Sequence, residues 1–180
     1  MKIRYFIDMD GVLAKWNPDA SEEDTHEKGY FSAREPEESA ISLVKLLVEN
    51  GRDVSILSAA YGDGHSAKEK AEWLKKFGLG EVPAIFVPYG EDKWAYAKCA
   101  DYDMPVLLDD YSRNLNSWRS KGGLPIKFMN GINDMPKIKV VDGVLEIKQD
   151  SWCGYRIDHR MTTRQMYNVI TSIPENEHIV

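Results

Sequence analysis

Short apolar runs alternate with helix-like segments over the first 130 residues of this chain, and this alternation restricts the possible folds more than any other feature. The apolar runs lie at 5–7, 54–57, 84–87, 106–108 and 126–128. Segments with apolar residues at helical spacing lie between them, at about 37–49, 66–77, 93–99 and 114–121. Strands that alternate with helices predict right-handed crossovers and a mainly parallel sheet. We therefore predict a three-layer α/β fold.

The two remaining segments are predicted as additions to one domain that spans residues 1–180. Residues 13–30 are polar and acidic and predict a small lid, in which Ser21 and the acidic residues after it suit a helix start. Residues 132–180 carry two β-prone runs around Asp142-Gly143, which predict a hairpin, and a final helix near 162–173. We expect this extension to cover an edge of the sheet.

Charge and hydropathy exclude several classes of partner. The chain has 23 basic and 29 acidic residues, a net charge of −6, and no basic run suited to a nucleic-acid backbone. No stretch is long enough to span a bilayer and no signal peptide precedes the first strand, so we expect a cytoplasmic protein without a membrane partner. Cys99 and Cys153 are too few for a disulfide framework or a zinc site and are expected as free thiols.

The first apolar run leads directly into two carboxylates, in the order Asp8-Met9-Asp10-Gly11. Alternate side chains of an extended chain share a face, so Asp8 and Asp10 can point the same way while Gly11 allows a sharp turn. Two such carboxylates repel each other unless a cation or a shared proton lies between them. Mg²⁺ is commonly held by one or two carboxylates and a substrate phosphate. An ordinary acidic turn after a strand is the alternative.

Other polar residues are predicted at the same edge of the sheet. Ligands of parallel α/β sheets bind at the carboxyl ends of the strands. Asp8, Ser58 and Asp109 lie at predicted strand ends, Asp110 follows Asp109, and Lys93 comes shortly after another strand. Taken singly, Ser58 fits an ordinary polar position, Lys93 a solvated lysine and Asp109-Asp110 a helix cap.

The set of motifs resembles the haloacid dehalogenase phosphohydrolases in type and order. That resemblance implies that Asp8 is a nucleophile that forms an aspartyl-phosphate and that Asp10 is the general acid and base. It further implies a Mg²⁺ site made by Asp8, the backbone carbonyl of Asp10, and Asp109 or Asp110.

The same resemblance implies that Ser58 and Lys93 hold the phosphate, Ser58 by its hydroxyl and Lys93 by its charge. The stretches 6–14, 90–93 and 107–115, with the segment 30–36, are similar to the 5′(3′)-deoxyribonucleotidase family. The similarity covers most of residues 1–131 and implies a phosphatase for nucleoside monophosphates.

Two departures from that family concern the substrate. Only residues 13–30 are available for the cap, which is sizeable in those nucleotidases, and Ser58 stands where better-known members have Thr. Trp16, Phe31 and Tyr61 lie on loops expected to overhang the strand ends, where they could stack on a base or simply pack the lid. The alternatives to a nucleotidase are a phosphatase for another small metabolite or an exposed macromolecular phosphate, and an inactive binding module.

Overall fold

The computed structural model describes residues 2–98, 104–141, 144–148, 150 and 152–176. Cys99 and the Asp142-Gly143 turn, both named in the sequence predictions, lie outside the described residues. Cys153 is a free, exposed thiol. Among the described residues, no helix is both long and apolar enough to cross a bilayer.

Six parallel strands form the central sheet, in the spatial order β3-β2-β1-β4-β5-β8. They are β1 (Ile3–Ile7), β2 (Asp53–Ala60), β3 (Ala84–Pro88), β4 (Met104–Asp109), β5 (Leu124–Met129) and β8 (Tyr155–Asp158). Strands β6 (Lys137–Val141) and β7 (Val144–Lys148) pair separately as an antiparallel hairpin. The described helices are α1 (Glu22–His26), α2 (Glu38–Glu49), α3 (Ser66–Lys76), α4 (Lys93–Tyr96), α5 (Ser112–Ser120) and α6 (Thr163–Asn176).

Helices cover both faces of the sheet and give the molecule three layers. Successive strand residues point to opposite faces, so Tyr5 and Ile7 pack with buried residues of α2, α3 and α6, whereas Phe6 packs with α5. The first core includes Val44 of α2 and Ile170 of α6, and the second includes Leu115 and Trp118 of α5. The predicted three-layer α/β fold with a parallel sheet is confirmed.

The C-terminal extension departs in part from the prediction. The hairpin and the last helix are present, and Ser21 caps α1 as predicted. Strand β8 was not predicted, and it pairs with β5 as the sixth parallel strand, so the extension adds to the sheet edge as well as covering it. Strand β2 continues to Ala60, so the prediction that it ends at Ser58 is wrong by two residues.

The strand register places the two carboxylate motifs side by side. Ile7 of β1 is paired with Leu108 of β4, and the backbone N–H of Asp8 donates to the carbonyl of Leu108 at 2.9 Å. Asp8 directly follows β1 and Asp109 is the last residue of β4, so the two aspartates lie next to each other at the carboxyl edge.

Candidate active site

Three buried carboxylates, those of Asp8, Asp109 and Asp110, converge where β1 and β4 end. One oxygen from each lies within 4.8 Å of the others. All three side chains are almost completely buried. The prediction that these aspartates share a site is therefore matched by their placement.

Lys93 at the start of α4 joins two of these carboxylates. Its Nζ lies 2.8 Å from Oδ1 of Asp8 and 2.7 Å from Oδ2 of Asp109, and Asp92 caps the helix. Burial lowers the pKa of Lys93, but the two neighbouring carboxylates outweigh it and hold the pKa above its ordinary value. Lys93 is therefore a buried ammonium and not the solvated lysine that its sequence alone suggests.

The charges of this cluster do not balance. Burial raises the pKa of Asp8 to about 7 against the opposing effect of Lys93. Burial and the neighbouring Asp109 and Asp8 carboxylates also hold the pKa of Asp110 well above its ordinary value. Three carboxylates against one ammonium leave an excess of negative charge in a buried place, and such a set of oxygen donors fits a hard divalent cation.

Amide side chains orient two of the carboxylates. Asn130 and Asn133, on the loop after β5, donate to Oδ2 of Asp110 at 2.8 and 2.6 Å. Asn114 of α5 donates to Oδ2 of Asp109 at 3.0 Å. The sequence reasoning missed all three. Asn130 could have been found, because it directly follows β5 and so lies at the carboxyl edge with the predicted residues.

Asp10 lies apart from the three-carboxylate cluster and has a partner of its own. Its Oδ2 accepts a hydrogen bond from Nζ of Lys70 on α3. The same ammonium donates to Oγ of Ser58 at 3.1 Å and to the carbonyl of Ala59 at 2.5 Å. Lys70 was not among the predicted site residues, since a lysine on a charged helix usually faces solvent.

A cavity of about 270 Å³ opens over this cluster. Its wall includes Asp8, Asp10, Lys93 and Asp110 together with the three aromatics predicted from sequence, Trp16, Phe31 and Tyr61. Tyr89 and Tyr111 extend the aromatic wall and were not predicted.

The aromatic residues of the wall contact one another. The ring centroids of Phe31 and Tyr61 are 6.1 Å apart, and those of Tyr61 and Tyr89 are 4.6 Å apart. Phe31 is buried, whereas Tyr89 is 63% exposed. The burial of Phe31 fits a packing role, and stacking of Trp16, Phe31 or Tyr61 on a base stays a prediction.

In the structure the lid continues beyond residue 30, to residue 34, and helix α3 ties this end of the lid to the sheet. The carboxylate of Glu69 accepts hydrogen bonds from the backbone amides of Gly29 at 2.6 Å and Phe31 at 3.2 Å. One turn further on, Nε1 of Trp73 donates to the carbonyl of Arg34 at 2.8 Å. The lid segment that carries Phe31 is therefore fixed by side chains of one helix.

The cavity wall does not include two of the predicted site residues, Asp109 of the carboxylate cluster and Ser58. Ser58 lies outside that cluster. Its side chain is fully buried, and its Oγ accepts from Lys70. A hydroxyl that accepts one bond still has its own hydrogen to donate. Its role as a phosphate ligand stays a prediction.

No protein-family model and no curated protein sequence matches the chain. What the site can do therefore has to be inferred from its own residues. These are a buried carboxylate cluster, two buried ammonium groups and a cavity with an aromatic wall.

Proposed function

We propose that this protein is a Mg²⁺-dependent phosphomonoesterase of the haloacid dehalogenase type, which hydrolyses nucleoside monophosphates through an aspartyl-phosphate on Asp8. The observation that carries the proposal is the placement of Asp8. Its carboxylate lies in the wall of the cavity, clustered with those of Asp109 and Asp110 and 2.8 Å from the ammonium of Lys93.

Asp8 is held in one orientation suited to attack on phosphorus. Its Oδ1 accepts from Lys93 at 2.8 Å and from the backbone N–H of Met9 at 2.7 Å. In the first step a carboxylate oxygen of Asp8 bonds to phosphorus, the ester P–O bond breaks, and the leaving oxygen takes the proton of Asp10. In the second step water attacks phosphorus, Asp10 takes its proton, and phosphate leaves Asp8.

Lys93 and the metal site would balance the charge of the phosphoryl group. The ammonium of Lys93 lies in the cavity wall beside Asp8, where it can contact phosphoryl oxygens. The carboxylates of Asp8, Asp109 and Asp110, with the backbone carbonyl of Asp10, would hold Mg²⁺. When bound, the cation supplies positive charge that offsets the carboxylates and the phosphate oxygens.

The aromatic wall supports a nucleoside monophosphate as the substrate. Bases stack on aromatic side chains with little regard to base identity, and Trp16, Tyr61 and Tyr89 line the cavity beside the acidic cluster. The size of the cavity, about 270 Å³, favours the second candidate, a phosphatase for a smaller phosphorylated metabolite, because ligand pockets usually range from about 300 to 1,000 Å³.

The first experiment tests the chemistry. We expect the protein to hydrolyse a chromogenic phosphomonoester with Mg²⁺, to lose this activity in excess chelator, and to regain it with added Mg²⁺. Asp8→Asn should abolish turnover and keep the fold, because an amide has nearly the same shape and cannot attack phosphorus. Asp53→Asn is the matched control, since Asp53 is exposed at the opposite end of β2.

The result would also separate an enzyme from an inactive binding module. Full activity in chelator, or in Asp8→Asn, would contradict the mechanism. Comparison of kcat/KM over panels of nucleotides and sugar phosphates then decides the substrate class, and a clear preference for sugar phosphates would remove the nucleotidase assignment.

A further inference from the structure

Lys70 is a second buried lysine at the site, and the chemistry proposed above gives it no role. Its side chain is 1% exposed on the inner face of α3. An ammonium has three hydrogens to donate, and three acceptors surround this one: Oδ2 of Asp10, Oγ of Ser58 at 3.1 Å and the carbonyl of Ala59 at 2.5 Å. It also lies 4.4 Å from the ring centroid of Phe31 in the lid.

This arrangement restrains Asp10 more than a surface ion pair would. Ser58 and Ala59 belong to β2, a central strand, and so the ammonium is anchored to the rigid sheet. Helix α3 fixes the other end of the lysine, and its neighbour Glu69 holds the lid. The carboxyl group of Asp10 is about a fifth exposed and lines the cavity, and one of its two oxygens is bound to this anchored ammonium.

We propose that Lys70 is a positioning residue that orients the carboxyl group of Asp10 for proton transfer to and from the substrate. The proposal rests on the proposed function, since it assumes that Asp10 is the general acid and base. Because Lys70 binds Oδ2, we assign the proton transfer to the other oxygen, Oδ1. In the first step a proton passes from Oδ1 to the leaving oxygen as its bond to phosphorus breaks. In the second step Asp10 takes a proton from the attacking water, which restores it.

A positioning role has a signature that a purely structural role lacks. An alkoxide leaving group, such as that of a nucleoside 5′-monophosphate, needs the proton of Asp10. The 2,4-dinitrophenolate ion leaves without one. The kcat/KM for both esters reports only the first step, so loss of proton donation lowers it for the nucleotide alone.

The experiment compares Lys70→Met with Lys127→Met on both esters in the presence of Mg²⁺. Lys127 is the matched control because it is also 1% exposed and ion-paired, to Asp150 at 2.9 Å, but does not line the cavity. We expect Lys70→Met to lower kcat/KM about 100-fold for the nucleotide and less than about tenfold for the dinitrophenyl ester, as general acid catalysis contributes at least about 100-fold. Lys127→Met should leave the ratio between the two esters unchanged.

A second readout uses the other half of the reaction. With the dinitrophenyl ester, Lys70→Met should release a rapid burst of one dinitrophenolate per site, because the aspartyl-phosphate forms normally but water attack lacks an oriented base. If Lys70→Met is insoluble, Lys70→Gln and Lys70→Arg replace it. The Gln variant should lower kcat/KM for the nucleotide relative to that for the dinitrophenyl ester. The Arg variant keeps the charge and the donors and should preserve this ratio.

If the Lys70 variants lost kcat/KM by the same factor for the nucleotide and the dinitrophenyl ester, and showed no burst, the positioning role would be overturned. The proposed function would still stand. An equal shift of the ratio in Lys127→Met would overturn the positioning role as well. Absence of turnover of both esters by the unaltered protein would instead overturn the proposed function, and this inference with it.

Discussion

Gly11 directly follows Asp10, and its backbone has a φ of +78°. A Cβ added to Gly11 would collide with the carboxylate of Asp110. The carbonyl of Gly11 accepts a hydrogen bond from Asn130, which also binds Asp110. The absence of a side chain at this position therefore allows the turn after β1 and the close approach of Asp110. A single backbone position thus helps to place a carboxylate about 100 residues away in the sequence.

The first prediction compares two glycines with similar backbones. Gly51 after α2 also has a positive φ, of +69°, but nothing lies within 4 Å of an added Cβ. Gly51→Ala should lower the free energy of unfolding by about 1–2 kcal/mol, the cost of a left-handed residue, and keep activity. Gly11→Ala should cost about 1–3 kcal/mol more, through overpacking, and reduce kcat at least about tenfold.

Urea denaturation and steady-state kinetics measure the two effects. Equal activity of the two alanine variants would show that Asp110 does not depend on the space left by Gly11.

At the scale of secondary-structure elements, α3 connects the lid to Asp10. Glu69 and Trp73 bind the backbone of the lid, while Lys70, on the same buried side, binds Asp10. One helix therefore holds both Phe31 of the aromatic wall and Asp10, the proposed general acid. These bonds hold the lid, together with the hydrogen bond between the hydroxyls of Thr25 and Tyr61, 3.0 Å long.

Removal of Glu69 should loosen the lid. Glu69→Ala leaves the amides of Gly29 and Phe31 without their acceptor, and each unsatisfied buried group costs about 1–3 kcal/mol. We expect a loss of about 2 kcal/mol in the free energy of unfolding and a raised KM for nucleotides. Glu72→Ala, at an exposed position of the same helix, should change neither. An unchanged KM in Glu69→Ala would mean that the lid does not contact the substrate.

The aromatic wall supports a further prediction at the same scale. Trp16→Ala or Phe31→Ala should raise KM for a nucleoside monophosphate about tenfold, since one stacking contact is worth about 1–3 kcal/mol, and should raise it less for a small aryl phosphate. Trp16 gives the clearer test, because Phe31 is also part of the buried packing. Tyr96→Ala, an exposed aromatic outside the cavity wall, is the control. Equal increases in KM for the nucleoside monophosphate and the aryl phosphate would argue against binding of a base in the cavity.

At the scale of the whole molecule, the acidic cluster links stability to pH and to metal. Burial raises the pKa of Asp8 to about 7 from an ordinary value of 3.8. Between these two pH values the folded metal-free protein binds a proton that the unfolded chain has lost, so the contribution of Asp8 to stability decreases as pH rises from about 4 to 7. The pKa of Asp110 is also raised, so its contribution to stability likewise decreases as pH rises.

We therefore expect Mg²⁺ to raise the melting temperature more at pH 8 than at pH 5. Protons compete with the metal at the lower pH, and at the higher pH the cation offsets the repulsion among ionised carboxylates. The melting temperatures with Mg²⁺ and with chelator are compared at the same pH, so the effect of other titrating groups on the melting temperature cancels. Asp110→Asn should reduce the shift, and an equal shift at both pH values would contradict a metal site made by these aspartates.

Much of the fold was predictable because it depends on local periodicity. Apolar runs and helical spacing located most strands and helices, and the alternation predicted a parallel sheet. Asp8, Asp109 and Lys93 were predictable at one edge because parallel strands bring their carboxyl ends together. Strand β8 was missed because only Ile157 in it is buried, so its formation depends on pairing with β5 and not on a pattern of its own.

The tertiary structure alone decided the partners of the acidic groups. Lys70 is 60 residues from Asp10 and lies in a highly charged helix, a context that in sequence indicates solvent exposure. It is buried because its ammonium lies among Asp10, β2 and the ring of Phe31. Asn133 likewise reaches Asp110 only because the chain turns back after β5. The sequence by itself determined which residues lie at the carboxyl edge of the sheet, because the alternation of strands and helices makes the strands parallel. The pairing of β1 with β4, which brings Asp8 next to Asp109, and the counter-charges of the carboxylates come from long-range packing that no local pattern encodes.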